Sequence, residues 1–218
     1  MLSRDDIFNE LGIGPVWRLR ETTPDQPPHA RHTWDTLTDA VAQCTLCKLS
    51  ATRTQGVLGT GDRNADWLII GEAPGAEEDA QGEPFVGQAG KLLDAMLAAI
   101  GLQRKDNVYI TNVLKSRPPG NRKPEPDEVA ACHPYLRAQI ELIQPKLILA
   151  LGRVAAQSLL ETGDAIEHLR GEVHRFQSVP LVVTYHPAYL LRKPTDKARA
   201  WEDLCLARRT YNSLTPDP

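Results

Sequence analysis

The chain has 218 residues, 41% of them hydrophobic, with 25 Lys and Arg against 28 Asp and Glu and a formal net charge of −3. This is enough chain for one well-buried domain, and it excludes a protein held to nucleic acid by its overall charge; any such contact must come from local basic patches. No run approaches the ~18 consecutive apolar residues of a membrane span, and Met1-Leu2-Ser3-Arg4-Asp5-Asp6 is too polar for a secretory signal, so a cytoplasmic protein without membrane attachment is expected.

The first fifty residues hold two short helical patterns. Residues 22–32 between them are rich in Pro, Thr and His and cannot bury much, so 1–32 reads as an extension and linker and 33–214 as the folded domain. Residues 33–44 have helical spacing and deliver Cys44-x-x-Cys47. Four cysteines are too few for a disulfide scaffold in a chain of this length, and the pair reads as half of a metal or cluster site, or as a redox pair. Gly56-x-x-Gly59-x-Gly61 precedes a strand where a phosphate fingerprint should follow one, and reads as a turn.

From there strands and helices alternate. Residues 67–70, 108–113, 146–152 and 181–186 are short, apolar on both faces and rich in β-branched side chains, as buried parallel strands require. Helical patterns cover 89–100, 126–143, 154–160 and 195–214. The expected fold is α/β: a three-layer α/β/α sandwich with a central four-stranded parallel sheet, right-handed crossovers, and ligands bound beyond the carboxyl ends of the strands.

The most informative residues sit at those ends. In Gly71-Glu72-Ala73-Pro74-Gly75, small and ring-locked residues let the backbone bend sharply and bring its amides up to a planar ligand; an ordinary acidic turn is equally compatible with these residues alone. Two basic patches accompany it, Lys115, Arg117, Arg122 and Lys123 in one loop and Arg192, Lys193, Lys197 and Arg199 in another.

The run from Gly71 to Gly90, with its GEAPG, its ED at Glu78-Asp79 and its Gly82-Glu83-Pro84-Phe85-Val86-Gly87-Gln88-Ala89-Gly90, closely resembles the family 4 uracil-DNA glycosylases. The resemblance continues through Thr111-Asn112-Val113, Arg117-Pro118-Pro119-Gly120-Asn121-Arg122 and Leu151-Gly152, and closes with His186-Pro187-Ala188-Tyr189-Leu190-Leu191-Arg192, covering about residues 40 to 210 in unchanged order. It implies a monofunctional hydrolase of base excision repair that flips deoxyuridine out of single- or double-stranded DNA, cuts the N-glycosidic bond and releases free uracil. It implies a monomer.

The same resemblance assigns roles. Gly71, Glu72 and Gly75 shape the uracil pocket, Phe85 stacks on the base, the Asn112 amide pairs with its polar edge, and Glu78 lies beside C5, where it excludes a thymine methyl. His186 stabilises the charge developing on uracil. Related glycosylases of another family carry a water-positioning Asp where this chain has Ala73, which shifts that task to Glu72. Leu190 and Leu191 stand where glycosylases insert a wedge into the minor groove, with Arg117, Arg122, Lys123, Arg192 and Lys193 on the phosphates.

The family binds a 4Fe-4S cluster through C-x-x-C and two later cysteines. Cys44, Cys47 and Cys132 match, but Lys115-Ser116-Arg117-Pro118-Pro119 places Ser116 at the third ligand. Ser116 ligating an iron, a three-iron cluster, His133 substituting, and an empty site are all compatible with the sequence; a retained cluster with Ser116 on or near the open iron is the preferred reading. Cys205 reads as a small buried hydrophobe. A weakly active or non-catalytic uracil- or DNA-binding protein of the same fold is the alternative function, and a nucleotide-binding or redox enzyme is a more distant one. A covalent uracil trap would need a histidine that the 117–122 loop lacks.

Overall fold

The computed structural model describes residues 32–215; the expected extension falls, His32 apart, outside them, as does the first of the two short helical patterns. In chain order the elements are helix α1 (Trp34–Ala42), strands β1 (Thr60–Gly61) and β2 (Trp67–Gly71), helices α2 (Ala76–Gln81) and α3 (Gln88–Ala99), strand β3 (Val108–Asn112), helix α4 (Pro126–Ile143), strand β4 (Leu147–Leu151), helices α5 (Arg153–Leu160) and α6 (Ile166–Leu169), strands β5 (Val173–Phe176) and β6 (Val179–Thr184), and helices α7 (Pro187–Arg192) and α8 (Lys197–Leu214).

The sheet order is β1-β3-β2-β4-β6-β5. Its four inner strands β3, β2, β4 and β6 are parallel, as expected, and all four end on the same edge. Two antiparallel edge strands, β1 on β3 and β5 on β6, enlarge the expected four-stranded sheet to six. Neither has the apolar run of an inner strand. β1 is two residues long and ends in Gly61, and Val173-His174-Arg175-Phe176 buries only its Phe, because an edge strand here has one wet side.

Alternation along the inner strands feeds two cores. Trp67 and Ile69, with Val108, Ile110, Leu147, Leu149 and Val182, face α3 and α8 through Leu93, Leu97, Ala200 and Leu204. Leu68 and Ile70, with Tyr109, Ile148, Ala150 and Val183, face α4 and α5 through Leu136, Ile140, Ala155 and Leu159. Each fully buried aliphatic side chain contributes about 2 kcal/mol, so both faces of the sheet are committed to packing and the chemistry is left to the strand ends. A third, smaller cluster joins Leu49, Leu114 and Cys132, with Cys47 packed against it. No helix among the described residues is long and apolar enough to cross a membrane.

The glycines before β2 do more than turn the chain. Gly61 pairs with Tyr109 on β3 at φ +134°, and a Cβ there would overlap the Val108 carbonyl oxygen. Gly61→Ala is therefore expected to detach β1 and to cost about 2 kcal/mol, or roughly 6 °C in melting temperature for a domain of this size. An unchanged melting temperature by circular dichroism would show that the edge tolerates a side chain.

Candidate active site

The carboxyl ends of β2, β3, β4 and β6 open onto a cavity of about 700 Å³, walled by the turn after β2, the 118–123 loop, the start of α5 and the 185–192 segment. Gly71 and Asn112 are register partners on the last rung of β2 and β3. A Cβ on Gly71 would overlap both Asn112 Oδ1 and the ring of Phe85, so glycine at this place is what lets the amide and the ring converge. Asn112 is buried, and its Oδ1 has no hydrogen-bond partner among the described residues.

Phe85 is presented by a strained backbone, φ +56°, in a region that bulky residues rarely enter. Its carbonyl lies so close to Gly90 that a Cβ there would overlap it. The preceding helix α2 is capped in the spacing of a capping box, with Gly75 at the N-cap and Glu78 at N3. Glu78 Oε2 accepts the Gly75 N–H at 3.1 Å, and Oε1 accepts the N–H groups of Val86 and Gly87 at 3.0 and 3.2 Å. Glu78 thus lines the cavity, and its carboxylate clasps the β2 turn to the Phe85 loop.

His186 follows β6 and caps α7. Its Nδ1 accepts the N–H of Ala188 at 3.1 Å. A backbone amide can only donate, so in the neutral ring the proton sits on Nε2, a point that sequence leaves undecided. Burial, aided by the positive charge of Arg192, pushes the imidazole down to about 4, against a smaller opposing effect of Glu78, so the ring is neutral near pH 7. The ring stacks on Phe85 with centroids 5.4 Å apart, and Gly152, at φ +87°, leaves the room its Cβ needs. Glu72 lines the same cavity; burial raises its carboxyl above the ordinary value, against the opposing charges of Lys123 and Arg153.

Gly75, Glu72, Glu78, Phe85, Asn112 and His186 therefore line one cavity, with Arg122, Lys123 and Arg192 on its wall. The expected DNA-contact residues divide. Leu191 is 45% exposed, but Leu190 is 1% exposed inside the α3–α8 core, so of the two expected wedge residues Leu190 is withdrawn into the core and only Leu191 is open to solvent. Successive residues of α7 point about 100° apart, and the inner one is claimed by packing. Arg122 is held by Glu128, with Nη1 to Oε2 at 2.9 Å and Nη2 to Oε1 at 2.5 Å, which makes it an anchor of its loop. Arg117 donates to Asn121 Oδ1 at 2.8 Å, and Lys193 Nζ stands 3.1 Å from Asp196.

Lys115 leaves the basic patch altogether. It is 1% exposed, and its Nζ donates to Thr111 Oγ1, the Asn112 carbonyl and Gln139 Oε1 at 2.7, 2.6 and 2.5 Å. Burial pushes its ammonium down to about 7.

The Lys115 amide also reaches Cys132 Sγ at 3.5 Å. Cys44 and Cys47 are half-buried, and Cys47 packs against the apolar cluster that holds Cys132. Ser116 is buried, and its Oγ accepts from Arg53 Nη1 at 2.9 Å while Nη2 of the same guanidinium bonds the Cys44 carbonyl at 3.1 Å. No three His, Cys, Asp or Glu side chains among the described residues converge tightly enough for a single metal ion. The chemistry of the donors, three cysteines with Cys47 and Cys132 at one apolar corner, is of the thiolate kind that holds iron-sulfur clusters. His133 lines a separate crevice with Arg137 and Arg175.

Sequence reasoning missed Glu128, although Glu125-x-x-Glu128 has capping-box spacing ahead of an apolar run. Glu128 is fully buried, and the Arg122 hydrogen bonds hold its carboxyl below the ordinary value. A depressed carboxyl contributes stability above its unfolded pKa and loses it as pH falls through the folded one. Glu128→Gln is expected to cost about 2 kcal/mol near neutral pH, since Arg122 can partly rehydrate. In thermal melts the gap to the native chain should close in acid; a gap that persists there would mean the carboxylate charge is not its source.

The profile of the uracil DNA glycosylase superfamily matches residues 58–205. The chain is 46% identical over 168 residues to a type-4 uracil-DNA glycosylase of Archaeoglobus fulgidus, covering 73% of this chain and 84% of that one. It is 41% identical over 178 residues to the type-4 enzyme of Pyrobaculum aerophilum, covering 78% and 90%, and 42% identical over 165 residues to that of Thermotoga maritima, covering 75% and 85%.

Proposed function

The chain belongs to the type-4 uracil-DNA glycosylases of the uracil DNA glycosylase superfamily, and we propose that the cavity at the strand ends is where it excises uracil. It is a monofunctional glycosylase: it hydrolyses the N-glycosidic bond of a deoxyuridine in DNA, releasing uracil and leaving an abasic site for repair. The observation that carries the placement is the buried, partnerless Asn112 Oδ1 beside the Phe85 ring. An unpaired buried acceptor is costly unless a ligand supplies a donor, and the N3–H of uracil is such a donor, whereas N3 of cytosine is an acceptor.

In this reading the flipped base stacks on Phe85, with N3–H on Asn112 Oδ1 and O4 on its amide N–H groups. Gly71 and Gly75 keep the turn close to the base. Glu78 holds the two walls together, which narrows the space beside C5 against a methyl. As the glycosidic bond lengthens, negative charge gathers on uracil, and the Nε2–H of neutral His186 donates to O2. Glu72 orients the attacking water on the sugar side; its raised pKa suits a carboxylate asked to take up a proton. Leu191 fills the gap left by the base, with Arg117, Lys123, Arg192 and Lys193 on flanking phosphates and Arg122 fixing the loop from which Arg117 and Lys123 reach. The enzyme acts as a monomer in the cytoplasm on single- or double-stranded DNA.

Cys44, Cys47 and Cys132, with Ser116 at the fourth corner, would hold a 4Fe-4S cluster. Its part is structural, tying the C-x-x-C loop to the strand end that carries Asn112. Iron and sulfide analysis of anaerobically purified protein is expected to give about four irons per chain, falling toward about three in Ser116→Ala. Absence of both iron and sulfide would overturn this assignment.

Excision is read by alkaline cleavage of uracil-containing oligonucleotides. Glu72→Gln is expected to lower kcat on the order of 100-fold. Because the Glu72 carboxyl is raised, the native enzyme should lose its base as pH falls, at a higher pH than an ordinary carboxylate would allow, while His186 at about 4 stays neutral. Glu72→Gln should abolish that acid limb, and full turnover in the variant would refute the role.

A further inference from the structure

Phe85 reaches the cavity only through a backbone conformation that its own side chain disfavours, φ +56°. Such a conformation persists when its surroundings over-determine it, and one residue outside the cavity binds the segment directly. Arg104, in the loop after α3, donates from Nη2 to the Phe85 carbonyl at 2.5 Å and from Nη1 to the Pro84 carbonyl at 3.1 Å. Its Nε is paired with Asp94 on α3. On the other side of the strained residue Glu78 takes the N–H groups of Val86 and Gly87.

We propose that Arg104 is a positioning residue for uracil recognition: it fixes, from behind the wall, the backbone that holds the Phe85 ring at the base. An ordinary surface ion pair with Asp94 is the competing account. Asp94 is half-exposed, and such a pair contributes little. The two bonds to consecutive carbonyls of the strained segment are what the ion pair does not explain. They also require arginine, because its planar fork can serve two carbonyls while Asp94 holds its third nitrogen, and lysine offers one compact ammonium. The proposal rests on the reading that Phe85 stacks on uracil.

The test is a double-mutant cycle on a uracil-containing single strand, with inhibition by free uracil measured alongside, on variants shown to be folded by circular dichroism. Arg104→Gln is expected to lower kcat/KM ~10-fold and to raise the inhibition constant of uracil by a similar factor. Arg104→Lys should recover part of the loss, and Asp94→Asn, which leaves both carbonyl bonds possible, should stay within about 2-fold of native. In a Phe85→Ala background, Arg104→Gln should add no further loss, because the group it positions is gone.

Losses that multiply would show that Arg104 acts elsewhere and overturn the proposal. A costly Phe85→Ala with a silent Arg104→Gln would overturn the role of Arg104 alone. A silent Phe85→Ala would overturn the stacking reading, and the role of Arg104 with it. Should Arg104→Gln fail to fold, the same cycle run with Arg104→Lys is expected to show a smaller loss that likewise vanishes in the Phe85→Ala background.

Discussion

The last rung between β2 and β3, Gly71 opposite Asn112, is the constraint on which the cavity is built. Parallel pairing makes the inner strands end on one edge, and burial of both sheet faces fixes the register, since a slip of one residue would exchange the two cores. The register puts a residue without a side chain next to a residue with an amide, and the gap between them admits the Phe85 ring. Under the proposed function, recognition depends on an atom that is missing at Gly71 as much as on those present at Asn112.

Electrostatics then sort the two groups assigned to catalysis. Burial acts on both Glu72 and His186 and favours the neutral form of each. For Glu72 the cations Lys123 and Arg153 oppose that effect, whereas for His186 Arg192 reinforces it. The result is a carboxyl raised above its ordinary value and a neutral imidazole that is a pure hydrogen-bond donor toward the cavity. The Ala188 amide completes this by occupying the other ring nitrogen, as the second amide of a helix does with its N-cap side chain.

Much of this was legible in the sequence for a physical reason: an inner parallel strand must be apolar on both faces, and residues 67–70, 108–113, 146–152 and 181–186 announce it. Edge strands do not, and Thr60-Gly61 and Val173–Phe176 escaped. That Glu72, Phe85, Asn112 and His186 line one cavity was legible through long motifs, and their roles there belong to the proposed function. Side-chain direction was not legible: Leu190 and Leu191 look alike until a core claims one, and Lys115 looks like its basic neighbours until Thr111 and Gln139 draw it inside. Arg104 carries no local signal, because the strain it restrains belongs to a residue nineteen positions away.

Glu78 binds three amides of two different loops with one carboxylate. Those amides are immobilised when the chain folds, so the entropy of ordering the turn and the Phe85 loop is lost then and not on encounter with DNA. A pocket frozen in advance leaves the association free energy available for unstacking and extruding the nucleotide, the step that no side chain in the cavity can perform before the base arrives.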